Sequence, residues 1–294
     1  MEVSLRISAV FALIGVGIYS TPSDKEPNLV NGGIQYANLT GCDCGWRNSN
    51  LQIVGGTETG INEFPAMAAL ISLESGLLYC GAHIISDRFV LTAAHCVYAK
   101  DPKTLGILVG DHNITAGEDT PYSALYYVSD YLIHPSYNTA TYVNDIAIIK
   151  TDSQIIFSNY VGPVCLPFRY YLADFVAQTG TILGWGQIEF SGPTSDVLLE
   201  ANLQIISNAQ CQSAQTSEVI VAQEICTYAD GKDSCQSDSG GPVLWTDITT
   251  NRMHLIGIIS HGTGCATDFP GINTRVTSFL DWIVSSTGAS YCYM

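Results

Sequence analysis

Positive charge is scarce in this chain. Its 294 residues hold 11 Lys and Arg against 27 Asp and Glu, a formal net charge of −16. Nucleic acid and anionic membrane surfaces are bound by clustered cations, so both are excluded as expected partners. A field of this sign draws cationic substrates instead. Long hydrophobic runs are also missing. The most extended one, Ile7–Tyr19 behind Arg6, falls short of the ~20 residues that a membrane-spanning helix needs. Its build is that of a secretory signal peptide, residues 1–20, cut near Ser20. Nothing amphipathic follows that would make it a buried N-terminal helix. The two halves of the chain show no sequence repeat. Charged residues are only 13% of the total and apolar ones 47%, which excludes general disorder and leaves ample material for a core.

What is present points outside the cell. The 10 cysteines are an even number and fit an oxidising compartment, so a secreted protein is expected. Asn38-Leu39-Thr40 and Asn113-Ile114-Thr115 are glycosylation sequons in that setting. Zinc at Cys42-x-Cys44 is disfavoured because no His or Cys pair follows at ligand spacing, and no metal or cofactor is assigned. The acidic cluster from Asp111 to Asp119 reads either as a calcium loop or as a solvated turn.

Residues 21–52 are polar and turn-rich, too short for a core of their own, and read as a linker or pro-segment. From Ile53 the texture changes. Short β-type runs recur between Gly and Pro signals: "FPAMAALISL", "RFVLTAAHC", "NDIAIIK", "TILGWGQ", "GPVLW" and "HLIGIIS". That pattern predicts an all-β barrel or sandwich. Val276, Phe279, Leu280 and Ile283 then repeat at helical spacing and predict a closing helix over "VTSFLDWIVSS".

A serine hydroxyl is a poor nucleophile at neutral pH. It needs an imidazole to take its proton and a buried carboxylate to hold that imidazole in the right tautomer. "LTAAHC" offers His95, "VNDIAIIK" offers Asp145, and "DSCQSDSGGP" offers Ser239 in a tight turn.

With "IVGG", "TAAHC", "NDIAI", "GWG", "SDSGGP" and a "TRV" before the last helix in order, Ile53 to about Ala289 resemble a trypsin/chymotrypsin-family serine protease, which implies a protease domain over 53–294. "CDCGW" upstream and "NEFP" after "IVGG" are similar to insect venom and salivary proteases. The resemblance implies two six-stranded antiparallel β-barrels with a C-terminal helix. It implies His95, Asp145 and Ser239 as catalytic residues, with the backbone amides of Ser237 and Ser239 as oxyanion hole. Asp233 would floor the substrate pocket, bordered by Ser260, Gly262 and Gly271, for cleavage after Arg or Lys. Cutting between Gln52 and Ile53 would free an ammonium for Asp238, and residues 21–52 would remain as a disulfide-linked light chain. Expected bridges are Cys80–Cys96, Cys211–Cys226 and Cys235–Cys265, with Cys165 taking Cys42 or Cys44 and Cys292 the other. Expected partners are protein substrates and protein protease inhibitors, with the enzyme itself a monomer.

Several positions depart from the family pattern. Ser237 stands where glycine is usual, bringing a Cβ and ~1–3 kcal/mol of strain if the same dihedrals are required. Gln52 is not a tryptic site, which leaves either a different activating protease or trimming after a first cut at Arg47. His261 replaces a tryptophan and should weaken apolar contact upstream of the scissile bond; Asn273 replaces a tyrosine at the pocket floor. Gly180 and Trp245 stand where a further bridge is usual. A catalytically silent homologue that binds a partner is the competing reading, and cleavage after aromatic residues would require Asp233 to face away from the pocket.

Overall fold

The computed structural model describes residues 29–30, 33–34, 42–48, 58–116, 119–186, 194–214, 218–229, 238–262 and 269–294. Gln52, Ile53, Asn38, Asp233, Ser237, Cys235 and Cys265 lie outside the described residues. Within the N-terminal unit, 1–35, β1 (Leu29–Val30) pairs antiparallel with β2 (Gly33–Ile34).

The second unit, 36–294, contains two closed barrels of six antiparallel strands. The first is built from β3 (Met67–Ser72), β4 (Leu78–Ile84), β5 (Phe89–Thr92), β6 (Leu105–Val109), β7 (Ala124–Ile133) and β8 (Ala147–Thr151), closed in the order β3-β4-β5-β8-β7-β6. The other uses β9 (Thr179–Gly184), β10 (Leu199–Ile206), β11 (Glu224–Tyr228), β12 (Pro242–Asp247), β13 (Arg252–His261) and β14 (Gly271–Arg275), in the order β10-β11-β14-β13-β12-β9. Each of the six short β-type runs after Ile53 contributes a strand, because β-branched and aliphatic residues fill a pleated, buried surface. Leu70, Ile84, Leu91, Ile107 and Ile149 are wholly buried, and each such side chain contributes ~1.5–3 kcal/mol over leaving it in water. Closure leaves neither sheet an open edge.

Short helices punctuate the barrels. α1 (Ala94–Val97) follows β5, α2 (Asn208–Ala214) follows β10, and a 3₁₀ turn over Val276–Phe279 leads into α3 (Leu280–Thr287). The closing helix ends at Gly288, whose φ of 60° and N–H to the Val284 carbonyl form a left-handed cap. No helix among the described residues is long and apolar enough to cross a membrane.

Strand register positions the site. β5 pairs with β8 so that Thr92 faces Ala147, bringing α1 and the residues just before β8 to one barrel rim. β12 pairs with β13 so that Pro242 faces Ile258, bringing the turn before β12 beside the last residues of β13.

Four disulfides link the described cysteines. Cys80–Cys96 joins β4 to α1, Cys211–Cys226 joins α2 to β11, and Cys44–Cys165 and Cys42–Cys292 hold segment 42–48. Of the two pairings the sequence left open, Cys165 takes Cys44. That segment is also threaded by backbone: Gly45 N–H donates to Pro163 and Met253 N–H to Gly45. Where a further bridge is usual, packing stands instead: Trp245 meets Tyr170 and Phe175 edge-on or tilted, at 4.9 and 5.3 Å, and Gly180 lies against Val243.

Candidate active site

His95 sits in α1, directly after β5. Its backbone N–H donates to Asp145 Oδ1 at 2.9 Å, and its ring Nδ1 lies 2.7 Å from Asp145 Oδ2. Asp145 has no exposed surface, so its charge depends on these donors. One more comes from the second barrel, where Ser260 Oγ donates to Asp145 Oδ2 at 2.6 Å; Thr274 Oγ1 ties the main chain there, donating to the Asp145 backbone carbonyl at 2.7 Å. A carboxylate accepting at Nδ1 fixes the proton there and leaves Nε2 free to accept one. The loop that delivers Asp145 turns through two left-handed residues, Tyr142 (φ 55°) and Asn144 (φ 60°). Asn144 Nδ2 ties that loop to the Ser136 carbonyl at 2.9 Å.

Ser239 arrives from the opposite barrel, in the turn before β12. Its carbonyl accepts from Gly81 N–H on β4 at 2.8 Å and lies 3.8 Å from Cys96 Sγ, beside His95. Close approach is possible because Gly240 follows it with φ 78°, and a Cβ at that position would strike Thr92 Oγ1 and the Gly81 carbonyl. Among the described residues no hydrogen bond joins His95 Nε2 to Ser239 Oγ, whereas the His95–Asp145 bond is closed. The Cys80 and Cys96 sulfurs near His95 are bonded to one another and so are not thiolate ligands for a metal.

Asp238 places Oδ1 2.8 Å from Gly186 N–H, against the Gly184–Gly186 backbone of the "GWG" motif. Gly271 is buried at the start of β14, and Gly262, the residue after β13, is exposed. Asn273 is buried too, and its amide donates to the Ile225 carbonyl and Thr227 Oγ1, both at 3.1 Å. It therefore stitches β14 to β11. Asn113 Oδ1 accepts from the N–H and hydroxyl of Thr115 in its own sequon.

Two features escaped the sequence reading. Besides the place beside substrate that the resemblance implies for it, Ser260 donates a hydrogen bond from its hydroxyl to Asp145. His261 does more than omit an apolar contact: Nε2 lies 3.0 Å from Glu218 Oε2, Nδ1 lies 3.0 Å from Ser260 Oγ, and the ring stacks on Tyr142 at 5.0 Å. The only available signal was that an imidazole replaced an indole next to a serine.

The acidic cluster is a tight pair. Ser123 Oγ donates to Asp111 Oδ1 at 2.6 Å, while Asp119 caps the N–H groups of His112 and Asn113. Burial, together with the neighbouring Asp119 carboxylate, pushes the Asp111 carboxyl up to about 7.

Residues 53–283 match the family model described as Trypsin. The chain is 44% identical over 258 residues to Venom serine protease 34 of Apis mellifera, covering 86% of this chain and 63% of that one. It is 41% identical over 264 residues to Venom serine protease of Polistes dominula, covering 88% and 94%. To the Proclotting enzyme of Tachypleus tridentatus it is 36% identical over 254 residues, covering 82% and 68%. The chain thus spans somewhat under two thirds of the length of the first of these relatives. Two six-stranded barrels and this match over most of the sequence lead to one statement: the chain belongs to the trypsin family of serine endopeptidases.

Proposed function

We propose that this protein is a secreted endopeptidase, made as a zymogen, that cleaves after Arg or Lys through an acyl-enzyme on Ser239. The observation that carries this reading is the buried Asp145 carboxylate bound to both the backbone and Nδ1 of His95; Cys96 Sγ lies 3.7 Å from His95 Nε2 and 3.8 Å from the Ser239 carbonyl. His95 Nε2 takes the proton of Ser239 Oγ as the hydroxyl attacks the scissile carbonyl, then gives it to the leaving amine. Asp145 keeps the imidazole in the productive tautomer and balances the imidazolium that forms. The oxyanion is received by backbone N–H groups of Ser237 and Ser239; these donors are main chain, so the serine at 237 still supplies one.

Specificity rests on Asp233, whose carboxylate at the pocket floor needs a cationic side chain as partner. Gly262 and Gly271 leave the walls open. The net charge of −16 favours the approach of such substrates. Activation by a cut after Gln52 frees the Ile53 ammonium to pair with Asp238. The venom proteases among the relatives, the N-terminal apolar run and the disulfides support export, with venom, saliva or digestive fluid as destination.

Reaction of the activated protein with a phosphonofluoridate tests the chemistry. An adduct on Ser239 is expected, and a protein that stays unlabelled is a silent, partner-binding homologue. Cleavage of a peptide library with and without Asp233→Ser tests the specificity: Arg and Lys preference should disappear in the variant. Retention of that preference places the determinant elsewhere.

A further inference from the structure

The proton inventory around Ser260 assigns a state to His261. A serine hydroxyl carries one proton, and that of Ser260 is on Asp145 Oδ2, at 2.6 Å. Toward His261 Nδ1, at 3.0 Å, Ser260 Oγ can therefore only accept, so Nδ1 must bear a hydrogen. On the other side of the ring, Nε2 faces Glu218 Oε2 at 3.0 Å. An ionised carboxylate only accepts, so Nε2 must bear one as well. The arrangement is satisfied by an imidazolium and by neither neutral tautomer.

A local irregularity of β13 makes this possible. Along a regular strand, successive side chains point to opposite faces. Between Ile259 and His261 the pairing with β14 slips, with Ile259 opposite Asn273 and His261 opposite Ile272. Ser260 sits in that bulge, and bulges re-aim side chains. Ser260 thereby reaches both His261 and Asp145. Around the ring, among the described residues, are Glu218 from the segment after α2, Tyr142 from the loop before β8, and the buried Glu224 at the start of β11. Burial holds the Glu224 carboxyl above the usual carboxylate range, and His261 and Glu218 both lie near enough to act on it. Tyr142 in turn meets His95 edge-on at 5.7 Å.

We propose that His261, in its two-proton form, is a positioning residue for the reaction: its Nδ1–H occupies Ser260 Oγ and so directs the Ser260 proton onto Asp145, while Glu218 holds the ring in that form. When His261 gives its Nδ1 proton to solvent, Nδ1 becomes an acceptor. The Ser260 proton then has two competing acceptors, and Asp145 loses part of the clamp that orients His95. This proposal rests on the catalytic reading of His95, Asp145 and Ser239, but its first prediction does not need turnover.

That first prediction is spectroscopic. Nitrogen NMR of the activated full chain, labelled at histidine, should show both ring nitrogens of His261 protonated at mildly acid pH. Glu218→Gln should bring the loss of one proton to lower pH, because the stabilising anion is gone. Ser260→Ala should do the same for Nδ1. A ring that keeps a bare Nδ1 throughout overturns the proposal, whether or not the protein turns over substrate. The second prediction is kinetic. With a small ester, kcat/KM of the wild type should fall on the order of three- to tenfold, the net worth of one orienting hydrogen bond, across the pH range where NMR shows His261 losing its proton. Glu218→Gln should shift that step to lower pH. His261→Phe, with no acceptor to compete for the Ser260 proton, should lack it. If His261→Phe shows the same step at the same pH, His261 is not the group responsible and the proposal fails. If Ser239 takes no phosphonofluoridate, it is the enzyme reading that fails, and the NMR result still decides the proton inventory.

Discussion

Arg47 and Glu63 are bound Nε to Oε1 at 2.7 Å, and the other arm of the same guanidinium reaches Glu200 at 3.1 Å. Its flat face lies 4.6 Å from the centre of the Phe64 ring. The next residue is equally anchored: Asn48 donates through its backbone to Glu63 and through its side chain to Asn62 and Asn159. A protease must draw its substrate out as an extended strand, and this peptide is held on both sides. Material activated in its own secretion should therefore begin at Ile53, not Asn48, on N-terminal sequencing. Replacing both Glu63 and Glu200 by Ala should raise tryptic cutting after Arg47 on the order of tenfold, as loss of paired hydrogen bonds makes local opening easier. An Asn48 terminus in the natural product contradicts this.

Asp145→Asn should leave the fold standing but remove the acceptor that sets the tautomer of His95. Turnover of an ester should fall by about 10⁴, with substrate affinity little changed. A loss of under tenfold would show that His95 is oriented by other contacts.

Gly240→Ala tests the tight turn that carries Ser239. Its φ of 78° disfavours a side chain, and the added methyl would meet the Gly81 carbonyl and Thr92 Oγ1. The expected cost is about 1–3 kcal/mol in urea unfolding, with a larger fractional loss of turnover than any loss of folded protein explains. Unchanged stability and turnover would mean that the turn relaxes freely.

The Asp111–Asp119 pair predicts a pH dependence of stability. The Asp111 carboxyl titrates at about 7 in the folded chain, against the usual carboxylate range when unfolded. Between about pH 4 and 7 the folded state therefore binds more protons at this site, and its contribution to stability declines as pH rises. It is fully lost above about 7. Asp111→Asn should flatten this part of the Tm–pH curve and raise Tm at pH 8 relative to pH 5, compared with wild type. A Tm difference between variant and wild type that is constant across that range would remove the site from the account.

The barrels and the three motif residues were legible because their signals are local. Strand periodicity is written in consecutive residues, and His95, Asp145 and Ser239 each sit within a short string whose chemistry is recognisable. The Glu218–His261–Ser260–Asp145 chain was not. Its members come from separate segments, and what joins them is a bulge in β13, a one-residue slip that leaves no trace in hydrophobic pattern. The same holds for Arg47, whose ion-pair partners Glu63 and Glu200 come from other segments of the chain. Cys42 and Cys44 could not be told apart either, since they are separated by one residue and only the path of the backbone decides which faces Cys165.

The two bridges from Cys42 and Cys44 anchor their segment at points far apart along the chain, Cys292 and Cys165. Hydrolysis after residue 52 would then yield a two-piece molecule in which whatever sits upstream, including any sugar on Asn38, travels as cargo with the enzyme. Reduction could unload it; further proteolysis between residues 48 and 53 could not.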